Sequence, residues 1–197
     1  MIFVIDTSSA RSAVALLGPD GTVVAEEVHD SGRDFNLPER FRALAGDPVL
    51  TKVAVAVGPG SFTGLRVGVS FGLGLAMGLA IPIVALRTLQ LQAARTDVSV
   101  VAVAEAGRGR VYHLDPGSEP KLAEPGELRR DLPIVGWLRA NTESAVTAAG
   151  LQFLPTSELR TFGAAAARML ESAPEVAYGS LRLEYMQAIG SAWRAPV

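Results

Sequence analysis

Two polar turns in this sequence carry residues that could do chemistry. Asp6-Thr7-Ser8 directly follows the apolar run at residues 2–5, and Gly58-Pro59-Gly60-Ser61 directly follows the apolar run at 53–57. A glycine-rich turn that opens a helix presents backbone N–H groups, which attract anions. A carboxylate beside such a turn can hold the cation of a metal-bound phosphate. A nucleotide- or phosphate-binding turn would therefore use six residues: Asp6, Thr7, Ser8, Gly58, Gly60 and Ser61.

The spacing of the second turn does not match the two common phosphate motifs. A Walker A loop needs Gly followed by Lys and Ser or Thr, but Gly64 is followed by Leu65 and Arg66. A G-x-G-x-x-G fingerprint would need glycine at position 63, which is threonine. Two interpretations remain open. One is an actin-like ATPase or kinase that uses Asp6 and the turn at 58–64, and the other is a pair of purely structural turns.

The composition limits the possible classes of protein. The 197 residues are 49% hydrophobic and 19% charged, which indicates an ordinary packed core. A net charge of −2 gives no overall attraction to nucleic acid. The chain has no cysteine, and its two histidines are isolated, so we expect no metal site.

No feature of the sequence indicates secretion or a membrane. The N-terminus lacks the basic and apolar segments of a signal peptide. The apolar stretch at 67–79 is shorter than the roughly 20 residues that span a bilayer. We therefore expect a soluble, cytoplasmic protein that does not contact a membrane.

The segment after the second turn has the composition of a helix with a stripe of very small residues. Small residues recur every four positions, at Gly64, Gly68, Gly72 and Ala76. Each interior glycine costs about 0.5–1 kcal/mol relative to alanine, so another backbone must approach closely. That backbone could belong to the chain's own sheet or to a partner helix. Larger side chains flank the stripe at Leu65, Val69, Leu73 and Met77.

The order of predicted elements indicates an α/β fold. The first half gives β-β-β-α-β-α-β, with strands near 2–5, 12–17, 22–28, 52–57 and 82–86 and helices near 38–45, 63–79 and 88–95. This is the order of the ribonuclease-H-like lobe that occurs twice in actin-like proteins. The second half starts again with strands near 98–104 and 110–114, followed by a surface loop at 116–133 and a helix near 157–173. We predict two ribonuclease-H-like lobes with mixed central sheets, at 1–95 and 96–197, with the second shortened and its last residues packing back on the first.

The eleven residues from Gly58 to Gly68, GPGSFTGLRVG, closely resemble the signature of the TsaB family. These are bacterial proteins of tRNA threonylcarbamoyladenosine biosynthesis, often labelled glycoprotease-like. The start of the chain, IFVIDTSSARSAVALL, resembles the first hairpin of that family, and residues 74–82 resemble its G-L-A-L-G-L-N-I-P continuation. The resemblance covers about residues 1–95.

The resemblance implies two actin-like lobes and a subunit without catalytic residues. Such a subunit binds and stabilises the catalytic subunit TsaD. With the ATPase TsaE, that complex transfers a threonylcarbamoyl group to adenosine 37 of ANN-decoding tRNAs. The chain alone would bind no cofactor, because the partner subunits use the ATP, and it would meet tRNA only through the complex.

The resemblance also implies that two first-lobe helices, near 36–45 and 63–79, form a helical bundle with TsaD. The partner-binding residues would be Leu37, Phe41, Leu44, Gly64, Leu65, Gly68, Val69, Gly72, Leu73 and Ala76. In isolation the chain would form a homodimer through the same helices, because an uncovered apolar face tends to pair with itself.

Overall fold

The computed structural model describes residues 1–32, 35–46 and 49–186, and it contains two mixed β-sheets. In the first sheet, three antiparallel strands form a meander, and β4 and β5 run parallel to β1. Its strands are β1 (Ile2–Asp6), β2 (Arg11–Leu17), β3 (Val23–Asp30), β4 (Lys52–Gly58), β5 (Ile83–Arg87) and β10 (Glu175–Val176), in the order β10-β5-β4-β1-β2-β3.

Helices cover both faces of this sheet, because alternate residues of its central strands are apolar on each side. On one face, Phe3, Ile5 and Val55 pack under the two helices α1 (Leu37–Ala45) and α2 (Phe62–Leu79). On the other face, Val4 and Ala54 pack with α5 (Phe162–Leu170). This three-layer arrangement fixes α2 above the carboxyl halves of β1 and β4.

The second sheet has four strands, in the order β8-β7-β6-β9. They are β6 (Val101–Gly107), β7 (Arg110–Leu114), β8 (Lys121–Ala123) and β9 (Ile134–Trp137), and β9 runs parallel to β6. Helix α4 (Ala140–Ala148) covers one face through Val146. Helix α3 (Thr88–Ala93) packs between the two sheets, with Leu89 in a cluster with Ala102 and Ala104 of β6.

The predicted element order of the first half is confirmed, and the second half differs in three places. Helix α4 and strands β8 and β10 were not predicted. The predicted helix at 157–173 begins later, at Phe162, because Thr161 caps it by accepting from the N–H of Ala164. Strand β10 brings the chain back to the first sheet, next to β5. The last part of the predicted second lobe, residues 187–197, lies outside the described residues.

Helix α2 is longer than the apolar stretch at 67–79 from which the sequence argument about a membrane span was made. The helix begins at Phe62, so it has 18 residues, and its mean hydropathy of 1.4 makes it the one described helix long and apolar enough to cross a bilayer. One side of it nevertheless packs on the sheet, with Leu65, Val69 and Ala76 buried there. Core helices of globular domains pass the same test of length and composition.

Candidate functional site

Asp6 lies at the carboxyl end of β1, and its side chain is completely buried. Its Oδ1 accepts hydrogen bonds from the Ser8 N–H at 2.8 Å and the Ser8 hydroxyl at 2.5 Å. Its Oδ2 has no hydrogen-bond partner. Burial raises the pKa of Asp6 above its ordinary value, and the two bonds from Ser8 only partly oppose this. The carboxyl group is thus turned inward, away from any ligand in solvent.

Thr88 completes this buried polar group. Its hydroxyl donates to the Ser8 hydroxyl at 2.9 Å instead of binding the first turn of α3. The cap position belongs to Arg87, whose side chain makes no capping bond. Thr88 is fully buried, so its hydroxyl needs a buried partner, and Ser8 is that partner.

Three backbone N–H groups at the start of α2 have partners within the chain. The Ser61 N–H donates to the carbonyl of Ser8 at 2.6 Å. The Ser61 hydroxyl accepts from the Gly64 N–H at 3.2 Å, which makes Ser61 the cap of α2. The Leu65 N–H donates to the carbonyl of Ser61 at 2.8 Å. These three donors are therefore not available to a phosphate group in this conformation.

The two predicted polar turns do come together, but with no space between them. A Cβ atom added at Gly60 would lie 2.1 Å from the carbonyl oxygen of Ser8. One added at Gly64 would lie 1.9 Å from the carbonyl oxygen of Thr7. The Thr7 hydroxyl donates to the carbonyl of Gly64 at 2.7 Å. These glycines are required because the start of α2 sits directly on the backbone that follows β1.

The glycine stripe continues this contact along the sheet. A Cβ atom at Gly68 would lie 2.3 Å from the Thr7 hydroxyl oxygen, and one at Gly72 would lie 2.3 Å from Cγ1 of Val55. Ala76 is fully buried. The structure shows the stripe packed closely on the chain's own sheet, which is one of the two explanations given above.

This packing corrects part of the predicted partner surface. Six of its residues are buried inside the chain and have no surface for a partner while this fold is intact: Leu37, Leu65, Gly68, Val69, Gly72 and Ala76. Four are partly exposed: Phe41, Leu44, Gly64 and Leu73. Phe41 packs edge-on against Phe3 and Phe71, at ring-centroid distances of 4.9 and 5.9 Å. These contacts join α1 and α2 into one layer.

The opposite side of α2 is the part of the helix that is open to solvent. We call it the outer α2 face, defined as Thr63, Val67, Ser70, Gly74 and Met77. Val67 and Met77 are 49% and 56% exposed, and a Cβ atom at Gly74 would meet nothing within 4 Å. The helical spacing from Thr63 through Val67, Ser70 and Gly74 is visible in the sequence, next to the denser glycine stripe.

An aromatic group closes the first turn of α2. The Arg66 guanidinium lies 3.7 Å from the centroid of the Phe62 ring, and that ring also contacts Tyr185 at 5.3 Å. The segment that carries Tyr185 is held there by Glu184, whose N–H donates to the carbonyl of Val57 at 2.8 Å. Tyr185 had no role in the sequence prediction, because no local pattern links it to residue 62.

Within the part of the chain that the structure describes, no group of three or more His, Asp or Glu side chains could hold a metal ion. The buried carboxylate Glu105, near the end of β6, has a structural role. It accepts from the Arg139 N–H and from the Thr142 hydroxyl, each at 3.0 Å. It thereby caps the start of α4 from a distant strand.

Comparison with known proteins agrees with the sequence resemblance. Residues 47–124 match the family model of TsaD, tRNA N6-adenosine threonylcarbamoyltransferase. The chain is 36% identical over 121 residues to the tRNA threonylcarbamoyladenosine biosynthesis protein TsaB of Bacillus subtilis (strain 168). That alignment covers 56% of this chain and 52% of the relative, so it spans about half the length of the curated protein.

Two solved structures share the whole fold. YeaZ from Pseudomonas aeruginosa aligns with a TM-score of 0.69 at 20% identity, over 94% of this chain and 99% of its own. A protein described as similar to the peptidase YeaZ, also from Pseudomonas aeruginosa, aligns with a TM-score of 0.67 at 21% identity and the same coverage. The predicted class, a mixed α/β fold of the ribonuclease-H-like, actin-like type, is confirmed. The chain is therefore similar in sequence to TsaB over about half of its length, and it shares the fold of YeaZ.

Proposed function

We propose that this chain acts in the threonylcarbamoyladenosine modification of tRNA, as the subunit that binds and stabilises a TsaD-like catalytic subunit. The observation that carries the proposal is the 36% identity to TsaB of Bacillus subtilis. In the described residues the carboxyl of Asp6 is buried and the start of α2 lies directly on the backbone that follows β1, which does not favour a phosphate-binding role for these two turns.

The outer α2 face is our proposed contact with the TsaD-like subunit, in place of the buried glycine stripe. Val67 and Met77 are large apolar side chains that are half exposed. Ser70 and Gly74 lie between them along the helix and let another helix approach closely, since Gly74 has open space above it. An exposed apolar strip of this kind is typical of a surface that a partner covers. The partly exposed Leu73 and Phe41 would border the contact.

The remaining partners follow from the same proposal. A TsaE-like ATPase would join the complex and use the ATP, so that this chain binds no cofactor alone. Contact with tRNA would arise only in the complex, and the protein would work in the cytoplasm. Without its partner, the chain would pair with a second copy through the outer α2 face, because the same apolar strip would then be uncovered.

Reconstitution tests the proposed function. Purified TsaD-like and TsaE-like subunits, ATP, a threonylcarbamoyl donor system and an ANN-decoding tRNA would be incubated with and without this chain. We expect modified adenosine only when the chain is present. Equal yields with and without it would overturn the proposal, provided that the chain is shown to be folded by circular dichroism.

A second candidate function is an actin-like ATPase or kinase that uses Asp6 and the turn at 58–64. It would require the turn to open, because Gly60 and Gly64 now press on the carbonyl groups of Ser8 and Thr7. Calorimetry with magnesium and ATP distinguishes the two candidates. Micromolar binding with turnover by the isolated chain would favour the kinase, and no heat of binding is expected for the partner subunit.

A further inference from the structure

A small polar cavity lies where the start of β2 meets the edge strand β9 and the end of α3. It has a volume of about 160 Å³, which is room for about five water molecules. Two arginines line it, Arg11 and Arg95, together with Trp137 of β9, the carboxylate Glu143 of α4 and Thr156. The residues of the turns discussed above, at Asp6 and Gly58, are not among its lining residues.

Arg95 is an unusual residue for such a cavity, because it is a charged side chain that is only 8% exposed. Its Nε donates to the carbonyl of Arg160 at 3.3 Å and its Nη1 to Oε1 of Gln92 at 3.2 Å. Its guanidinium carbon also lies 5.2 Å from the centroid of the Trp137 ring. Neutral groups therefore hold the side chain in place, and none of them balances its charge.

No carboxylate among the described residues forms an ion pair with Arg95. The negative charge of Glu26 raises the pKa of Arg95 from further away. However, Oε2 of Glu26 already accepts a hydrogen bond from the Gly163 N–H at 2.7 Å. Burying an arginine without an adjacent anion costs several kcal/mol, and folded proteins rarely leave such a charge unbalanced.

Arg11 makes the imbalance larger. It brings a second positive charge to the same cavity. Burial lowers the pKa of Arg95 below its ordinary value, and the charge of Arg11 lowers it further. The ion pair of Arg11 with Oδ1 of Asp30 is long, at 3.7 Å, and both side chains are more than half exposed, so Arg11 is free to turn toward the cavity. Both arginines line this polar cavity, and guanidinium groups are well suited to bind phosphate oxygens.

We infer that the cavity between Arg11 and Arg95 binds a phosphate group. The guanidinium group of Arg95 would stay bound to its neutral partners. The exposed side chain of Arg11 would turn toward the anion and cover it. Glu143 at the rim would oppose binding and so keep the affinity moderate. Inorganic phosphate and the terminal phosphate of a nucleotide offer the same oxygens, so the test must distinguish these two sources.

The test is a titration of the full chain with inorganic phosphate at constant ionic strength. The NMR signals of the arginine Nε–H groups monitor the titration. We expect saturable shifts of the Arg95 and Arg11 signals below about 10 mM phosphate. Arg11→Gln, on the exposed side, should weaken binding about tenfold without unfolding the protein. Glu143→Gln should strengthen it. A parallel titration with adenosine monophosphate shows whether a nucleotide phosphate competes or only the free ion enters.

The matched control is Arg129→Gln, which removes the same charge from an exposed pair with Asp131 outside the cavity. It should leave the phosphate affinity unchanged. The inference is overturned if the Arg95 signal does not saturate with phosphate, or if Arg11→Gln and Arg129→Gln weaken binding equally. The second result would mean that only the net charge of the protein attracts the anion. Arg95→Lys makes the same comparison at the buried position, because lysine keeps the positive charge but lacks the planar guanidinium group that binds two oxygens.

Discussion

At the scale of single residues, the glycines of α2 and of the turn before it fall into two kinds that the sequence alone does not separate. Gly60, Gly64, Gly68 and Gly72 touch the backbone or side chains of the chain's own sheet. Gly74 and Gly78 have open space around them. The first kind maintains the packing of the fold, and the second kind leaves a smooth surface on the outside of the helix.

This difference predicts opposite effects of one substitution at neighbouring positions. Gly72→Ala places a methyl group against Val55 and should lower the free energy of unfolding by about 1–3 kcal/mol. Gly74→Ala meets no atom and should raise it by about 0.5–1 kcal/mol, because alanine favours the helix. Urea denaturation of the two variants measures both values. Equal effects would contradict the packing of α2 described here.

Asp6 predicts how stability changes with pH. Burial raises its pKa above the ordinary value of 3.8, so above that pH the folded protein keeps a proton that the unfolded chain loses. Stability is therefore lost as pH rises, by up to about 1.4 kcal/mol per pH unit, until the folded-state pKa is reached.

Asp6→Asn removes this titration while the side-chain oxygen can still accept from Ser8. Compared with the wild type, the variant should become relatively more stable from about pH 4 upward, as measured by urea denaturation along a pH series. Parallel stability curves for the two proteins across that range would show that Asp6 is not buried as described.

At the scale of elements, the ends of α2 are fixed by residues far away in the sequence. Its first turn rests on the backbone after β1, and its last turn is bound by Tyr178, whose hydroxyl donates to the carbonyls of Ile81 at 2.7 Å and Ala76 at 3.2 Å. The segment from Tyr178 onward thus holds α2 against the sheet at both ends, together with Glu184 and Tyr185 near its start.

Removing one hydroxyl tests this contact. Tyr178→Phe should lower the free energy of unfolding by about 0.5–1.5 kcal/mol, because two carbonyl groups at the end of α2 lose a donor. Tyr185→Phe is the matched control, since the described residues contain no hydrogen bond to its hydroxyl. If both variants lose the same stability, the hydroxyl of Tyr178 does not fasten the helix.

Local patterns explain how much of the fold could be predicted. The strands and helices of the first half have strong periodicity and clear caps such as Ser61, so their order and approximate bounds were accessible. Helix α4 has few apolar residues and is capped by Glu105 of the distant strand β6, so no local pattern revealed it. The spacing predicted the glycine stripe, but only the tertiary structure shows which surface it faces. Arg95 could not be recognised as buried, because its cover comes from Trp137 and residue 160.

At the scale of the whole molecule, the fold presents one long, half-covered apolar helix. The six-stranded sheet buries the inner side of α2, and the backbone after β1 lies directly against the start of that helix. The outer α2 face remains as the surface through which the protein would act on a partner. We therefore expect this face to bind a TsaD-like subunit.

The most direct test compares the same substitution on two surfaces. Val67 and Val98 are 49% and 55% exposed, but Val98 lies near the start of the second sheet, away from α2. Val67→Glu should weaken binding to the TsaD-like subunit at least about tenfold, because it buries an unpaired charge in the contact. Val98→Glu should leave the affinity unchanged, and both variants should keep the wild-type unfolding midpoint. Wild-type affinity in the folded Val67→Glu variant, measured by calorimetry, would contradict the account.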